Sequence, residues 1–168
     1  LAEHRYQQVL QITPGSARAY LGLAEVRLSQ GRVEEAEEFL RAAIQVDYTF
    51  LDAYLALGQL SLHKAQYQQA LEIYRQALHL SPWNTDAALG IANCYHALGD
   101  LNETEAVLLR ASQENRISSE PMLILADLYQ ELGQPEQAEA ALLEALRRQG
   151  GRLEAHLALI RFYQQRGQ

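Results

Sequence analysis

The chain has 168 residues, 48% of them apolar, which suits one globular domain or one short repeat array and is too apolar for a disordered segment. Its formal charge is −7, from 21 acidic and 14 basic residues, which disfavours nucleic acid and anionic lipid, both bound chiefly through Lys and Arg. The single cysteine, Cys94, excludes an internal disulfide, and no apolar run approaches the roughly 20 residues that a membrane-spanning helix needs.

In chain order, residues 1–12 open with Ala2, Tyr6 and Val9. Spacings of four and three place them on one helical face, where the small residue lets a neighbouring helix approach and the large one fills the gap. The same set returns every 34 residues, as Ala36, Leu40, Ala43, then Ala70, Tyr74, Ala77, then Thr104, Leu108, Ala111, then Ala138, Leu142, Ala145. A second set alternates with it. It runs Ala19-Tyr20-Leu21-Gly22-Leu23-Ala24, and at the same period Ala53–Gly58, Ala87–Ala92, Pro121–Ala126 and Ala155–Ile160. The period never slips. Between the two sets a turn falls at fixed phase, at Gln30-Gly31, Lys64-Ala65, Gly99-Asp100, Gly133-Gln134 and Gly167-Gln168. Glycine there ends a helix readily because it accepts the left-handed conformation. Pro14 and Pro82 cannot continue a helix and end the second ones. Gly150-Gly151 reads as a helix stop and loop. No stretch alternates with period two, so the expected fold class is all-α.

This 34-residue helix–turn–helix unit resembles the tetratricopeptide repeat. Leu51–Asn84 matches best, with Tyr54, Leu57, Gly58, Tyr67, Ala70, Tyr74, Ala77 and Pro82 in place, and the resemblance covers the whole chain. Thr104 departs from the small Ala, and Tyr48, Arg116 and Gly150 from the terminal Pro, which suggests looser turns between repeats. The resemblance implies a right-handed α-solenoid of stacked helix–turn–helix units whose first helices line a concave side. The full repeats are then 17–50, 51–84, 85–118 and 119–152. Residues 1–16 are the second helix of one partial repeat, and 153–168 the first helix of another. An array that starts and stops inside a repeat is expected to be a fragment of a longer protein, the alternative being that the last helix itself serves as cap; uncapped ends would offer a route to self-association.

With positions counted from the start of each repeat, the fifth reads Leu21, Leu55, Leu89, Leu123, Leu157 and the second Arg18, Asp52, Asp86, Glu120, Glu154. The ninth reads Glu25, Gln59, Asn93, Asp127, Arg161, and the twelfth Leu28, Leu62, His96, Gln130, Gln164. Facing the groove, these would form a leucine stripe flanked by carboxylates, suited to a part-apolar, part-basic amphipathic helix or extended peptide. The candidate partner-binding residues are Leu55, Gln59, His63, Leu89, Asn93, His96, Leu123 and Asp127. Two plainer readings stand beside this one: the leucines pack between first helices, and the second-position acids stabilise helix N-termini. Glu34, Glu35, Glu37 and Glu38 read as a solvated convex face. Arrays of this family that grip a chaperone's C-terminal carboxylate use Lys, Arg and Asn in the groove, and here only Asn93 fits. The asparagine ladder of arrays attached to the O-linked N-acetylglucosamine transferase is absent from the sixth position, which reads Gly22, Ala56, Gly90, Ile124, Ala158.

No catalytic constellation appears. The five histidines, His4, His63, His79, His96 and His156, lack zinc spacing, and there is no phosphate-cradling Gly loop. Cys94, among small and apolar residues, reads as a buried inert thiol. Tyr48 and Trp83, at repeat boundaries, are expected to be partly exposed. The expected function is a non-catalytic scaffold for a protein or peptide, with no cofactor, metal, nucleic acid or membrane insertion. Two other roles fit the resemblance: a periplasmic scaffold of a bacterial exopolysaccharide-export or other envelope machine, and the targeting arm of a larger enzyme such as a glycosyltransferase. The arginine bias (13 Arg to one Lys) resembles a GC-rich bacterial genome, and the expected compartment is periplasm or cytoplasm.

Overall fold

The computed structural model describes residues 2–148 and 152–167. The expected stop at Gly150-Gly151 lies outside the described residues, as does Gln168 of the last turn. Among the described residues there are ten helices and no strand. They are α1 (Ala2–Ile12), α2 (Ala17–Ser29), α3 (Val33–Val46), α4 (Leu51–His63), α5 (Tyr67–Leu80), α6 (Thr85–Ala97), α7 (Leu101–Glu114), α8 (Glu120–Glu131), α9 (Pro135–Arg147) and α10 (Arg152–Gln165). The chain divides into two compact units, residues 1–90 and 91–168, with the division inside α6. Each unit is built from antiparallel helix pairs.

Local chemistry sets the boundaries. Ser16 Oγ accepts from the Ala19 amide at 3.3 Å, Asn84 Oδ1 from Ala87 at 2.8 Å and Asp100 Oδ1 from Glu103 at 3.3 Å, each capping a helix start. Pro121 and Pro135 sit in the first turns of α8 and α9, where a missing amide proton is harmless. The tight turns after the first helices repeat one geometry. Gly31, Gly99, Gly133 and Gly167 have positive φ, and Ala65, at the same phase, adopts φ 56°. The amide after each of the first four such turns donates back across the helix end: Arg32 to the Arg27 carbonyl, Gln66 to Ser61, Asp100 to Tyr95 and Gln134 to Tyr129, at 2.8–2.9 Å.

The repeat phases identified in the sequence form the core. In the first unit Ala36, Leu40, Ala43, Ala70 and Ala77 are fully buried, and the Tyr74 ring fills the space over two glycines. A Cβ on Gly58 would lie 2.7 Å from Tyr74, and one on Gly90 would overlap the same ring. In the second unit Leu108, Leu125, Leu142, Ala138 and Ala145 are at most 1% exposed.

Two of the four acids read as a solvated face are instead engaged. Glu35 accepts from Arg27 at 3.0 Å and also pairs with Arg32, while Glu37 pairs with Lys64 at 2.7 Å and Arg41 at 2.8 Å. The reason is the fold: Arg27 and Lys64 end first helices beside α3, which no reading of α3 alone reveals. Glu34 and Glu38 are exposed as expected.

Candidate functional site

In the second unit α6 and α8 lie side by side as first helices of consecutive repeats. On α8, Ile124, Asp127, Leu128 and Glu131 follow the i, i+3, i+4, i+7 pattern and therefore share one face. Asn93 and His96 are one turn apart on α6. Together with the buried Thr104 of α7 these residues line a cavity of about 340 Å³. Ile124 and Leu128 are its apolar part. Its polar groups are the Asn93 carboxamide, the His96 imidazole and two carboxylates.

The groups are not equivalent. His96 Nε2 lies 2.8 Å from Glu131 Oε2, so each has a partner across the two helices. Among the described residues no hydrogen bond or ion pair of Asp127 is seen. Partial burial raises its carboxyl above the ordinary aspartate value, and the charge of Arg161 on α10 opposes the rise. Asp127 is an exposed residue, so its carboxylate is accessible from outside the cavity.

Three of the eight residues proposed from sequence, Asn93, His96 and Asp127, meet in this cavity. Leu123 is half-buried and does not line it, and Leu89 is 6% exposed, so its side chain packs and offers almost no surface. In the first unit Leu55, Gln59 and His63 follow one another at spacings of four on α4, the leucine half-buried and the other two exposed. The second-position acids Asp52, Asp86, Glu120 and Glu154 occupy first turns, as their N-terminal reading requires, and none lines the cavity. Sequence reasoning missed Ile124, Leu128 and Glu131. Their signal was the spacing along α8, visible once Asp127 is taken as the anchor.

Cys94 is fully buried, and desolvation pushes its thiol up to about 11, far from a nucleophile's range. Among the described residues no group of three His, Cys, Asp or Glu side chains could hold a metal ion, and no helix is long and apolar enough to cross a membrane.

Helical hairpins repeating every 34 residues, with a cleft between first helices, define a helical-repeat protein of the α-solenoid class. The sequence matches tetratricopeptide repeat models over residues 1–60, 61–120 and 119–150, and the chain belongs to the tetratricopeptide repeat family. Solved structures agree in fold. MamA is 20% identical, with TM-score 0.73 over 86% of this chain and 85% of its own. A thermophilic tetratricopeptide protein of Thermus thermophilus is 22% identical, with TM-score 0.73 over 95% and 88%. YrrB, a tetratricopeptide protein with an unusual peptide-binding site, is 18% identical, with TM-score 0.68 over 96% and 84%. A search of curated proteins returns no significant match. Proteins of this fold are generally non-catalytic scaffolds for other proteins.

Proposed function

We propose that the chain binds a peptide or protein segment on the first-helix face of its second unit, with Asp127 receiving a long basic side chain. The observation that carries this reading is the exposed Asp127 carboxylate in a cavity whose apolar lining is Ile124 and Leu128. A Lys or Arg side chain has the matching form, an aliphatic stem and a cationic head. The stem lies along Ile124, with the buried Leu128 behind it, the head meets Asp127, and Asn93 supplies a carboxamide for the adjacent main chain. Glu131 and His96 border the entrance. The first unit carries a strip of its own on α4, Leu55, Gln59 and His63, proposed as a separate surface for a partner. The peptide-binding site of YrrB supports a peptide as the class of partner.

The experiment is a titration of the full chain with blocked peptides that differ only at a central Arg, Lys, Gln or Glu. Amide shifts are followed at Asn93 and Ile124. The basic peptides are expected to shift these signals and to bind more weakly as salt is raised. Equal response to the Gln and Glu peptides would exclude Asp127 as the recognition point.

A further inference from the structure

A second cleft lies in the first unit, on the opposite kind of helix. It runs between α3 and α5, over α4, with a volume of about 540 Å³. Its floor is apolar: Ile44 from α3, Tyr54 and Leu57 from α4, and Ile73 from α5. Its rim carries three carboxamides, Gln45, Gln69 and Gln76. The two charged rim residues are each paired, Arg41 with Glu37 at 2.8 Å, a carboxylate it shares with Lys64, and Glu72 with Arg75 at 2.7 Å.

The same cleft exists one compact unit later, and the comparison separates packing from specificity. Sixty-eight residues on, or two repeats, Leu109, Met122, Leu125, Gln137, Ala140 and Ala141 stand where Arg41, Tyr54, Leu57, Gln69, Glu72 and Ile73 do. They line a smaller cavity of about 260 Å³. A gap at this phase is therefore a product of repeat packing. The carboxamide rim recurs only in part: Gln69 is matched by Gln137 and Gln45 by Gln113, which does not line the second cavity, while Gln76 is matched by Glu144, which pairs with Arg147.

We propose that the cleft between α3 and α5 is a docking site for an extended, uncharged peptide segment. Its main chain is held by the Gln45 and Gln76 carboxamides and by the Gln69 side-chain oxygen, whose amide nitrogen donates to Ser61 Oγ at 3.4 Å, and alternate apolar side chains rest on Ile44, Tyr54, Leu57 and Ile73. A carboxamide presents one donor and one acceptor face, the complement of a peptide group. An extended segment exposes its N–H and C=O groups, whereas a helix has consumed its own, so carboxamides select the extended form. Side chains of an extended chain alternate, which sends every second one to the floor. A charged segment would bring an ion into a cleft whose own charges are paired and would lose hydration without compensation. This site shares no residue with the Asp127 cavity and stands or falls independently of it.

The test is methyl NMR on the full chain labelled at Ile and Met. The probe is a blocked peptide of about eight residues, alternating leucine with serine or asparagine. A lysine- and glutamate-containing peptide and an amphipathic helical peptide run in parallel. The uncharged extended peptide is expected to shift the Ile44 and Ile73 methyls to saturation and leave Met122 of the second cleft unmoved. Gln76→Glu, at an exposed rim position, is expected to weaken that binding about tenfold while circular dichroism stays unchanged. Absence of shifts at Ile44 and Ile73, equal shifts at Met122, preference for the charged or helical peptide, or full affinity in the Gln76→Glu variant would each overturn the proposal.

Discussion

Tyr129 Oη donates to Glu105 Oε1 at 2.6 Å, tying second helix α7 to the first helix that follows it, α8. The link is a property of the repeat. Thirty-four residues later Tyr163 donates to Glu139, and at the same phase near the N-terminus Arg27 binds Glu3 at 2.7 Å. At three of the five phases a carboxylate on a second helix thus accepts from a donor on the next first helix; Glu37 accepts from Lys64 instead, and Leu71 carries no carboxylate. Burial and Glu105 together push the Tyr129 phenol up to about 12. Because its folded value is raised, its contribution is complete below the ordinary value near 10 and is lost as pH rises through about 12. Tyr129→Phe is expected to lower stability at pH 8 by about 1–2 kcal/mol and to reduce the further loss at high pH. Urea unfolding of both proteins at the two pH values measures this.

The Tyr74 ring occupies space that a methyl group at Gly90 would need. Gly90→Ala is therefore expected to destabilise the fold by about 1–3 kcal/mol, although alanine ordinarily favours a helix. Thermal unfolding checks the sign. A Tyr74→Leu background, which vacates the ring's volume, is expected to remove most of the penalty.

Ala65 holds a left-handed conformation at the phase where four other turns use glycine. An L side chain there is strained by about 1 kcal/mol or more. Ala65→Gly is expected to recover roughly that much, less the extra freedom glycine gives the unfolded chain, and to raise Tm slightly. A fall in Tm would mean that the Ala65 methyl makes compensating contacts.

Arg148 is 8% exposed and ends α9 with its Nη1 shared among the carbonyls of Ser112, Asn115 and Ser118, at 3.0, 3.2 and 3.0 Å. Its Nε stands 3.5 Å from Glu144 Oε1, and no hydrogen-bond partner for Nε occurs among the described residues. The guanidinium organises the α7–α8 loop, where the tetratricopeptide pattern has a proline and this chain has Arg116. Arg148→Ala is expected to destabilise the second unit by about 3 kcal/mol, and Arg148→Lys to restore little because an ammonium cannot reproduce the fork. Hydrogen exchange of the 115–118 amides reports the loss locally.

Much of this architecture was legible because a period of 34 fixes everything at once. The Ala36–Leu40–Ala43 type of triplet named the buried faces, and the turn phase placed even Ala65 correctly. Cys94 and the exposed Tyr48 and Trp83 also followed, since their surroundings are set by their own helix and turn. What the sequence hid depends on a neighbour. Leu89 shares a phase with Leu123 and Leu157, yet their exposures differ, from 6% at Leu89 to 44% at Leu157. Glu131 gains its role only from His96, 35 residues away, and Arg148 reaches back 30–36 residues to its carbonyls. Contacts of that span leave no mark on helical periodicity.

The most direct test of the binding account is Asp127→Asn. A carboxyl raised in the folded state favours folding when protonated, and this contribution is lost as pH rises through the folded value, so at neutral pH the charge opposes folding. Removing it is expected to leave Tm unchanged or higher while weakening an arginine-containing peptide about tenfold, measured by calorimetric titration of the full chain. Undiminished affinity in a stably folded Asp127→Asn protein would contradict the assignment of this cavity as the recognition site.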